Sequence, residues 1–574
     1  MRRKRRSQAD IHEGKRAYQF FDFLIAEMSA EIITHQAETA LSDQTRLVFS
    51  LFKTQRSDRT AAEVELVETH ISWVLLAGQF AYKIKKAIHL EFLDFTALER
   101  RQFFCGEEIR LNRRLAPQIY LDVVPIGGSG EAPEFGRTPA LEYAVRMNRF
   151  DTADEMDRRL RNGTLLARHV DSLAQTLAHF HHGLHSIAPD MSYGDAHSVF
   201  SSAMQNLEQL RQLLPEAREQ DALASLERVV EAEYLAREKC FRQRRRDGYV
   251  RECHGDLHLA NIVVIGDEAV PFDGIEFDPV LRWIDVIGDL AFPFMDLTYF
   301  GKPNLANRLL NRYLEETGDY GGMDVLHFHA SGRAAVRAKV HAIRAAQQSA
   351  GERERREALA ASRAYLDLAA QFLLRPHPVL IITSGLPGSG KSTFAQAASE
   401  MLGAIRIRSD VERKRLFGLA PMEGSPERVD SYAAEATART YDALHDIARK
   451  LLAAGVSVIV DAAFLKQAER DRFCRLADAT GVPFAMASLR AGEAQMQKRI
   501  TERMRQGNDP SEADLEVLAV LQQAQEPLLS HERIRSVEFV NDGEHGFVVD
   551  DRSWNALKAM LSCARPGKGQ SEPD

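Results

Sequence analysis

The sequence predicts an α+β domain of two lobes followed by an α/β domain built on a parallel sheet. After residue 378, short apolar runs alternate with helical patterns, which is typical of a parallel sheet covered by helices. The first half opens with strands around a turn, Val64–Lys86, and continues mainly with helical patterns. Two prolines within Arg375–Pro378 mark the boundary between the two parts.

Length and composition indicate a globular protein of several domains. A chain of 574 residues is too long for one hydrophobic core, and 45% hydrophobic with 27% charged residues are ordinary values for a soluble protein. The formal net charge of −8 argues against nucleic acid as a partner of the whole chain. It does not exclude a local basic lid in the C-terminal domain that contacts nucleic acid. The five cysteines form no C-x-x-C pair, which favours reduced thiols over disulfides or a zinc site.

The same inspection predicts a cytoplasmic protein. No apolar run approaches the roughly 18 residues that a membrane-spanning helix needs. The basic start, Met1–Arg6, is not followed by the apolar segment of a secretory signal, so we interpret it as a solvated tail. No membrane partner is therefore expected.

A phosphate-binding loop follows the first strand of the C-terminal part. The apolar run Val379–Ser384 leads into G-x-x-x-x-G-K-S and then into a helical pattern. In this motif the backbone N–H groups surround the phosphates, the lysine reaches the β- and γ-phosphates, and the serine hydroxyl binds Mg²⁺. The predicted ATP-binding residues are Gly385, Leu386, Pro387, Gly388, Ser389, Gly390, Lys391, Ser392 and Thr393.

An acidic residue and an arginine follow the second predicted strand of this part, Ala404–Arg408. At such a strand end the carboxylate of Asp410 can deprotonate an acceptor hydroxyl, and Arg413 can hold an anionic acceptor. Capping of the next helix by Ser409 or Asp410 is the alternative interpretation.

The predicted metal ligand and lid of the C-terminal part lie further along the chain. Asp461 ends the strand Val456–Val460 in the manner of a Walker B carboxylate and is predicted to hold Mg²⁺. Arg499 and Arg503 share one face of a helix and suit a lid that closes over the transferring phosphoryl group. A solvated basic helix is the alternative.

A second phosphoryl-transfer motif lies upstream. It reads H-x-D-x-x-x-x-N from His254 to Asn261 and is followed, after a short hairpin, by an apolar strand that ends at Asp273. In this motif Asp256 is predicted to accept the proton of the attacking hydroxyl, whereas Asn261 and Asp273 hold Mg²⁺. Gly255 occupies the position of an arginine that, in protein kinases, binds a phosphorylated activation loop. Its absence favours a small-molecule acceptor.

Residues that would position ATP in this first site precede the motif. Lys83 lies on a strand and is the candidate for contact with the α- and β-phosphates, and Lys85 on the same face is its rival. Glu108, on the predicted helix Leu98–Leu115, is the candidate partner of the lysine. The histidines near the end of the helical run Leu173–His182 lack ligand partners at metal-binding spacing, so a packing helix is expected there.

These motifs carry a resemblance. About residues 60–315 resemble the aminoglycoside phosphotransferase and choline-kinase group of kinase-like enzymes, on the H-G-D-L-H-L-A-N run, Asp273 and the helix that begins at Leu173. Residues 378–563 resemble small P-loop kinases of the gluconate kinase, polynucleotide kinase and zeta-toxin group, on the phosphate-binding loop, Asp410 with Arg413, and Asp461. The order of the two parts resembles the bacterial bifunctional aminoglycoside phosphotransferase/ATP-binding protein family.

The resemblance implies a bilobal protein-kinase-like domain followed by a P-loop NTPase domain, both using ATP and Mg²⁺. Two departures stand out: Thr69–Val74 replaces a glycine-rich loop, and Asp273-Gly-Ile replaces Asp-Phe-Gly. The predicted segments are an N-terminal tail with helices (1–58), the kinase-like domain (59–315), its helical completion and linker (316–376), the P-loop kinase domain (377–565) and a disordered tail (566–574).

The predicted function is ATP-dependent phosphoryl transfer to the hydroxyl group of a small molecule. The alternative is a nucleotide-dependent switch in which the kinase-like domain is a non-catalytic binding module. The acceptor has no local signature, because acceptor pockets are built from loops.

Overall fold

The computed structural model describes residues 35–57, 64–90, 93–347, 351–374, 377–420, 434–506, 509–543 and 551–563. The predicted basic start and C-terminal tail lie outside these residues. The chain forms two compact units, one built from residues up to 300 together with 325–373, and one from 301–324 together with residues from 374 onward. No helix within the described ranges is long and apolar enough to cross a membrane.

The first unit begins with a six-stranded antiparallel sheet in the order β1-β2-β3-β8-β6-β7. The strands of this region are β1 (Glu65–Glu68), β2 (Ser72–Ala77), β3 (Phe80–Lys85), β4 (His89–Leu90), β5 (Leu93–Asp94), β6 (Tyr120–Gly128), β7 (Pro133–Phe135) and β8 (Ala140–Asn148), and the helices are α1 (His35–Ser57) and α2 (Leu98–Asn112).

The run before the predicted turn is two strands, not the single strand that its apolar pattern suggests. The chain reverses at Thr69, whose hydroxyl donates to the Ser72 carbonyl at 2.7 Å and accepts from the Ser72 N–H at 2.8 Å. These bonds close a tight turn, so β1 pairs with β2 instead of continuing it. The turn stands where kinases carry a glycine-rich loop.

The rest of the first unit is mainly helical and carries the H-x-D motif between β9 and β10. Its further elements are α3 (Met156–Arg161), α4 (Ala167–Gly183), α5 (Ala196–Leu213), α6 (Ala217–Arg246), β9 (Val250–Glu252), β10 (Ile262–Ile265), β11 (Glu268–Pro271), α7 (Pro279–Arg282), β12 (Trp283–Asp285) and α8 (Val286–Tyr299). The chain then passes through α9 (Pro303–Thr317), which packs in the second unit, to α10 (Met323–Ala346) and α11 (Glu352–Leu373).

The second unit is a five-stranded parallel sheet in the order β14-β15-β13-β16-β17. Its strands are β13 (Leu380–Ser384), β14 (Ile405–Arg408), β15 (Val458–Asp461), β16 (Phe484–Arg490) and β17 (Ser536–Val540). Its later helices are α12 (Lys391–Leu402), α13 (Ser409–Leu416), α14 (Ala434–Ala453), α15 (Gln467–Thr480), α16 (Glu493–Gln506), α17 (Leu515–Ala524), α18 (Ser530–Ile534) and α19 (Asp551–Cys563). The predicted fold class is confirmed, and the strands predicted at Val379–Ser384, Ala404–Arg408 and Val456–Val460 correspond to β13, β14 and β15.

Helix α9 belongs to the second unit, although the predicted boundary places most of it in the kinase-like domain. The Asn311 side chain donates to the Ala404 carbonyl at 3.0 Å and accepts from the Arg406 N–H at 2.7 Å, so it satisfies the free edge of β14. Arg308 also pairs with Glu400 of α12 at 2.8 Å. These contacts are distant in sequence, and no local pattern reports them.

Candidate active sites

The glycines of the phosphate-binding loop adopt conformations that other residues rarely tolerate. Gly388 and Gly390 have φ of 80° and 99°. A Cβ at Gly390 would lie 2.1 Å from Asn541 Nδ2, and a Cβ at Gly388 would lie 2.7 Å from the Met496 carbonyl oxygen. The loop between β13 and α12 is therefore held against β17 and α16 by contacts that require glycine.

The first prediction concerns this contact. Gly390→Ala should weaken ATP binding at least about tenfold, because the left-handed backbone strain and the clash with Asn541 together exceed roughly 1.4 kcal/mol. Gly481→Ala is the matched control, since Gly481 also has positive φ (67°) but a Cβ at this position would meet nothing within 4 Å. Calorimetric titration with ATP checks the prediction, and equal affinities for the two variants would contradict it.

The polar groups of the loop are arranged for an anionic ligand. Lys391 Nζ donates to the Leu386 carbonyl at 2.8 Å. Burial lowers the pKa of Lys391 to about 8, because the buried ammonium group loses its stabilisation by water. A bound phosphate would stabilise the charged form of the lysine in place of water. The Ser389 hydroxyl is buried and has no hydrogen-bond partner among the described residues. Thr393, by contrast, is exposed on the first turn of α12.

The donors at the end of β15 fit a magnesium ion. Asp461 is buried, its Oδ2 has no hydrogen-bond partner within the described ranges, and its carboxylate also interacts with the Ser392 hydroxyl. Burial raises the pKa of Asp461, and the nearby positive charge of Arg408 opposes that rise. A carboxylate and a hydroxyl beside a phosphate cradle are the oxygen donors that Mg²⁺ uses in nucleotide sites.

Asp410 and Arg413 lie together on the first turns of α13. The helix begins at Ser409, and its N-cap position makes no side-chain capping bond, which disfavours the capping interpretation. Arg413 Nη1 lies 3.2 Å from Asp410 Oδ1. Although burial favours protonation, Arg413 and a hydrogen bond from Ser511 lower the pKa of Asp410 below its usual value, so the group is a carboxylate able to accept a proton.

The two arginines of α16 that were predicted to form a lid, Arg499 and Arg503, make different contacts. Arg499 donates to the Gly388 carbonyl at 3.2 Å and to Asn541 Oδ1 at 3.2 Å, so it braces the phosphate-binding loop. Arg503 donates to the Ala513 carbonyl, and its charge acts on Asp410 and Lys391. Arg503 is thus the better placed of the two for a transferring phosphoryl group.

In the first unit, the H-x-D loop is anchored from below by α8. The carboxylate of Asp289 accepts the backbone N–H groups of His254 and Gly255 at 3.0 and 2.9 Å. His254 Nε2 donates to the Phe272 carbonyl at 2.9 Å, and burial lowers the pKa of this histidine, which keeps it neutral. The loop that carries Asp256 is therefore rigid.

The carboxylate of Asp256 is hydrogen-bonded at one oxygen and open at the other. Asn261 Nδ2 donates to Asp256 Oδ2 at 3.0 Å, and the side chain is fully buried. The other oxygen, Oδ1, has no hydrogen-bond partner in the part of the chain that the structure describes. A buried carboxylate oxygen without a donor is costly unless a ligand supplies one.

The β10–β11 hairpin brings the two predicted metal ligands of this site together. The Phe272 N–H donates to the Asn261 carbonyl at 2.9 Å, which places Asp273 beside Asn261. Asp273 has φ of 62°, a conformation that non-glycine residues rarely adopt and that is often retained at functional sites. Its N–H donates to the Tyr120 hydroxyl at 3.0 Å. An amide oxygen and a carboxylate in this position fit Mg²⁺.

Both lysines of β3 contact Glu108. Lys83 Nζ lies 3.0 Å from Glu108 Oε1 and 2.6 Å from Asp273 Oδ1, whereas Lys85 Nζ lies 2.6 Å from Glu108 Oε2 and also binds Glu276. Burial alone would lower the pKa of Lys83, but the Asp273 and Glu108 carboxylates raise it well above its usual value. Lys83 is the lysine that reaches the metal side, and Lys85 is fully buried.

Sequence reasoning did not single out Glu276. It follows Asp273 by three residues, is buried, and completes the ion pairs of Lys85. The short spacing between Glu276 and the predicted metal ligand Asp273 is the sequence feature that could have indicated a role for Glu276 in this site. A cavity beside this network is lined by Thr69, Ala81, Lys83, Met147, Phe150, Phe272 and Asp273. It lies between the sheet and Asp273, where a nucleotide must bind if Lys83 is to touch its phosphates.

The clustered histidines form no convincing metal site among the described residues. His181, Cys253 and Asp289 have ligand atoms within 4.8 Å of one another. However, burial raises the pKa of the Cys253 thiol well above its usual value, so the thiol stays protonated. Asp289 already binds two backbone N–H groups and lies 3.3 Å from His181 Nε2. Through Asp289, the cluster holds the backbone of the H-x-D loop.

Comparisons with known proteins agree with this arrangement. The family described as "Phosphotransferase enzyme family" matches residues 107–326, and the family described as "AAA domain" matches residues 380–528. An uncharacterized protein of Mycobacterium tuberculosis is 31% identical over 404 residues, which cover 69% of this chain and 78% of that protein, and its Mycobacterium bovis counterpart matches equally. The chain belongs to the bacterial family that joins a kinase-like phosphotransferase domain to a P-loop kinase domain. It is a kinase-type enzyme.

Solved structures resemble each part of the chain separately. A choline/ethanolamine kinase family protein from Mesorhizobium loti is 13% identical, with 58% of this chain and 99% of that chain covered and a TM-score of 0.35. A gluconokinase from Sinorhizobium meliloti is 21% identical, with 33% of this chain and 92% of that chain covered and a TM-score of 0.22. Neither likeness bears on the substrate of this family member.

Proposed function

We propose that each domain transfers the γ-phosphoryl group of ATP to a hydroxyl group of a small molecule. The observation that carries the proposal is that each domain has a carboxylate near a set of oxygen donors suited to Mg²⁺, and we assign that carboxylate as the base. In the kinase-like domain the base is Asp256, and in the P-loop domain it is Asp410. The contacts of the described residues do not identify the acceptor molecules.

In the kinase-like domain, Asp256 Oδ1 accepts the proton of the acceptor hydroxyl while the oxygen of that hydroxyl forms a bond to the γ-phosphorus. The bond from that phosphorus to the bridging oxygen of ADP breaks, and ADP leaves with the electron pair. Asn261 and Asp273 would hold Mg²⁺, which supplies charge neutralisation at the phosphates. Lys83, kept in place by Glu108, orients the phosphate chain. Its 2.6 Å contact with Asp273 must loosen when the nucleotide arrives.

In the P-loop domain, Lys391 and the loop N–H groups bind the β- and γ-phosphates, and Asp410 accepts the proton of the acceptor hydroxyl. Ser392 and Asp461 would hold Mg²⁺. Arg413 and Arg503 stabilise the charge that spreads over the transferring group. The proximity of two arginines to Asp410 supports an acceptor that itself carries negative charge.

A second prediction tests the role of Asp410. Asp410→Asn should leave ATP affinity within about twofold while lowering phosphoryl transfer by this domain roughly 100- to 10,000-fold, because only proton acceptance is lost. Transfer of labelled γ-phosphate to a metabolite extract, measured in chains that also carry Asp256→Asn, reports this domain alone. Asp446→Asn, at an exposed aspartate of α14, is the control. Unchanged transfer in Asp410→Asn would remove it as the base.

A non-catalytic role for the kinase-like domain is the second candidate. The Thr69 turn, closed by its own hydrogen bonds, replaces the flexible glycine-rich loop that covers ATP in protein kinases. In that case ATP bound at the P-loop domain would act as a switch, and no compound would be labelled through Asp256.

A further inference from the structure

One acidic residue of α9 lies behind the metal side of the P-loop site. Glu315 is almost fully buried and is bound to Arg406, and its Oε2 lies 3.9 Å from Arg408 Nη1. Arg406 and Arg408 occupy alternate positions of β14, so their side chains leave the same face of the strand. Glu315 also lies 3.4 Å from Arg312 of its own helix, so its one charge is shared among Arg312 and the two buried arginines of β14. All of these residues lie within the second unit.

Both arginines reach the nucleotide side of the site. Arg406 Nη1 donates to the Ser392 carbonyl at 3.2 Å, on the residue that follows the loop lysine. Arg408 Nε lies 3.8 Å from Asp461 Oδ2, close enough for attraction but too far for a hydrogen bond. Arg408 also lies 3.6 Å from Asp509. Arg408 is therefore shared among the carboxylates of Asp509, Asp461 and Glu315, which lie 3.6, 3.8 and 3.9 Å from it.

We propose that Glu315 is a positioning residue for the metal site: by holding Arg406 and Arg408, it keeps the Asp461 carboxylate open to Mg²⁺. The inference rests on the proposed role of Ser392 and Asp461 as metal donors. Without the negative charge of Glu315, Arg408 would close onto Asp461 and compete with the cation. The same loss adds one positive charge near the phosphates, which favours the anionic nucleotide.

The opposite effects expected on metal binding and on nucleotide binding distinguish a positioning role from a purely structural one. A charge-neutral Glu315→Gln chain should bind metal more weakly but bind metal-free nucleotide as well as before, or more tightly. A residue needed only for packing would weaken both together. Glu316 is the matched control, because it is adjacent on α9 and shares Arg312 with Glu315, at 2.8 and 3.4 Å, but its ion pair does not include the arginines of β14.

The experiment uses the full chain with Asp273→Asn, which removes a metal ligand from the other domain. Mn²⁺ is titrated in the presence of a non-hydrolysable ATP analogue and followed by electron paramagnetic resonance, and the analogue alone is titrated calorimetrically. Glu315→Gln should raise the Mn²⁺ dissociation constant roughly tenfold and leave that of the metal-free analogue unchanged or lower. Glu316→Gln should change neither constant.

A double variant keeps the test decisive if Glu315→Gln does not fold. Glu315→Gln with Arg408→Gln also removes the arginine that would close onto Asp461, so Mn²⁺ binding should return to within about twofold of the parent. Parallel weakening of Mn²⁺ and analogue, unchanged Mn²⁺ binding in Glu315→Gln, or weak Mn²⁺ binding in the double variant would overturn the proposal. These are binding measurements, so a chain that transfers no phosphate would refute the proposed function without deciding the role of Glu315.

Discussion

Lys391→Ala is expected to lower the affinity of the P-loop domain for ATP roughly 100-fold and to abolish transfer by that domain. The lysine is the residue of the loop that can place a positive charge between the β- and γ-phosphates. Two charge-assisted hydrogen bonds at about 1.5 kcal/mol each amount to about 3 kcal/mol, which is roughly a hundredfold in affinity. Its removal takes one hydrogen bond from the Leu386 carbonyl, a cost of about 1 kcal/mol, so the domain should stay folded.

The measurement is calorimetric titration of the full chain with ATP and Mg²⁺, in which the wild type should show two binding events and Lys391→Ala one. Lys558→Ala is the control, since Lys558 is exposed on the last described helix. Two undiminished binding events in Lys391→Ala would exclude this loop as a nucleotide site.

Asp256→Asn should lower transfer by the kinase-like domain roughly 100- to 10,000-fold, the usual contribution of a general base. The substitution keeps the shape of a fully buried side chain, and the Asn261 amide can still donate to its oxygen. We therefore expect the apparent KM for ATP to change little while kcat falls. A fall in ATP affinity without a fall in kcat would assign Asp256 to binding instead.

The control for Asp256 is Asp267, which lies at the turn of the β10–β11 hairpin that follows the H-x-D motif. Asp267 is an exposed residue whose ion pair with Arg168 has both side chains largely in solvent, so Asp267→Asn should leave transfer unchanged. Both variants are compared in chains that carry Lys391→Ala, which leaves the kinase-like site as the source of transfer. Thermal unfolding of each variant separates loss of the base from loss of the fold.

Local motifs are the reason that the sequence could name both candidate sites residue by residue. The strand before the phosphate-binding loop was expected at Val379–Ser384 and lies at Leu380–Ser384, because a short buried strand, glycines and a helix follow one another directly. Asp256, Asn261 and Asp273 lie on one loop and hairpin, so their spacing in sequence already sets their distances in space.

Long-range pairing could not be predicted in this way. Glu276 and Glu315 find their partners, Lys85 and Arg406, 191 and 91 residues away, and nothing in the surrounding residues reports such contacts. The packing of α9 in the second unit depends on contacts of the same kind, since the side chain of Asn311 satisfies the edge of a strand 95 residues later. The break between β1 and β2 depends on one hydroxyl, that of Thr69, within an otherwise strand-like run.

We propose that this chain contains two separate phosphoryl-transfer sites. The most direct test is transfer of labelled γ-phosphate from ATP to a metabolite extract by Lys391→Ala, Asp256→Asn and the double variant. Each single variant should still label a compound, the two compounds should differ, and the double variant should label none. If Lys391→Ala labels nothing, or if adding Asp256→Asn leaves its labelling unchanged, the kinase-like domain does not transfer phosphate through Asp256 and the claim is wrong.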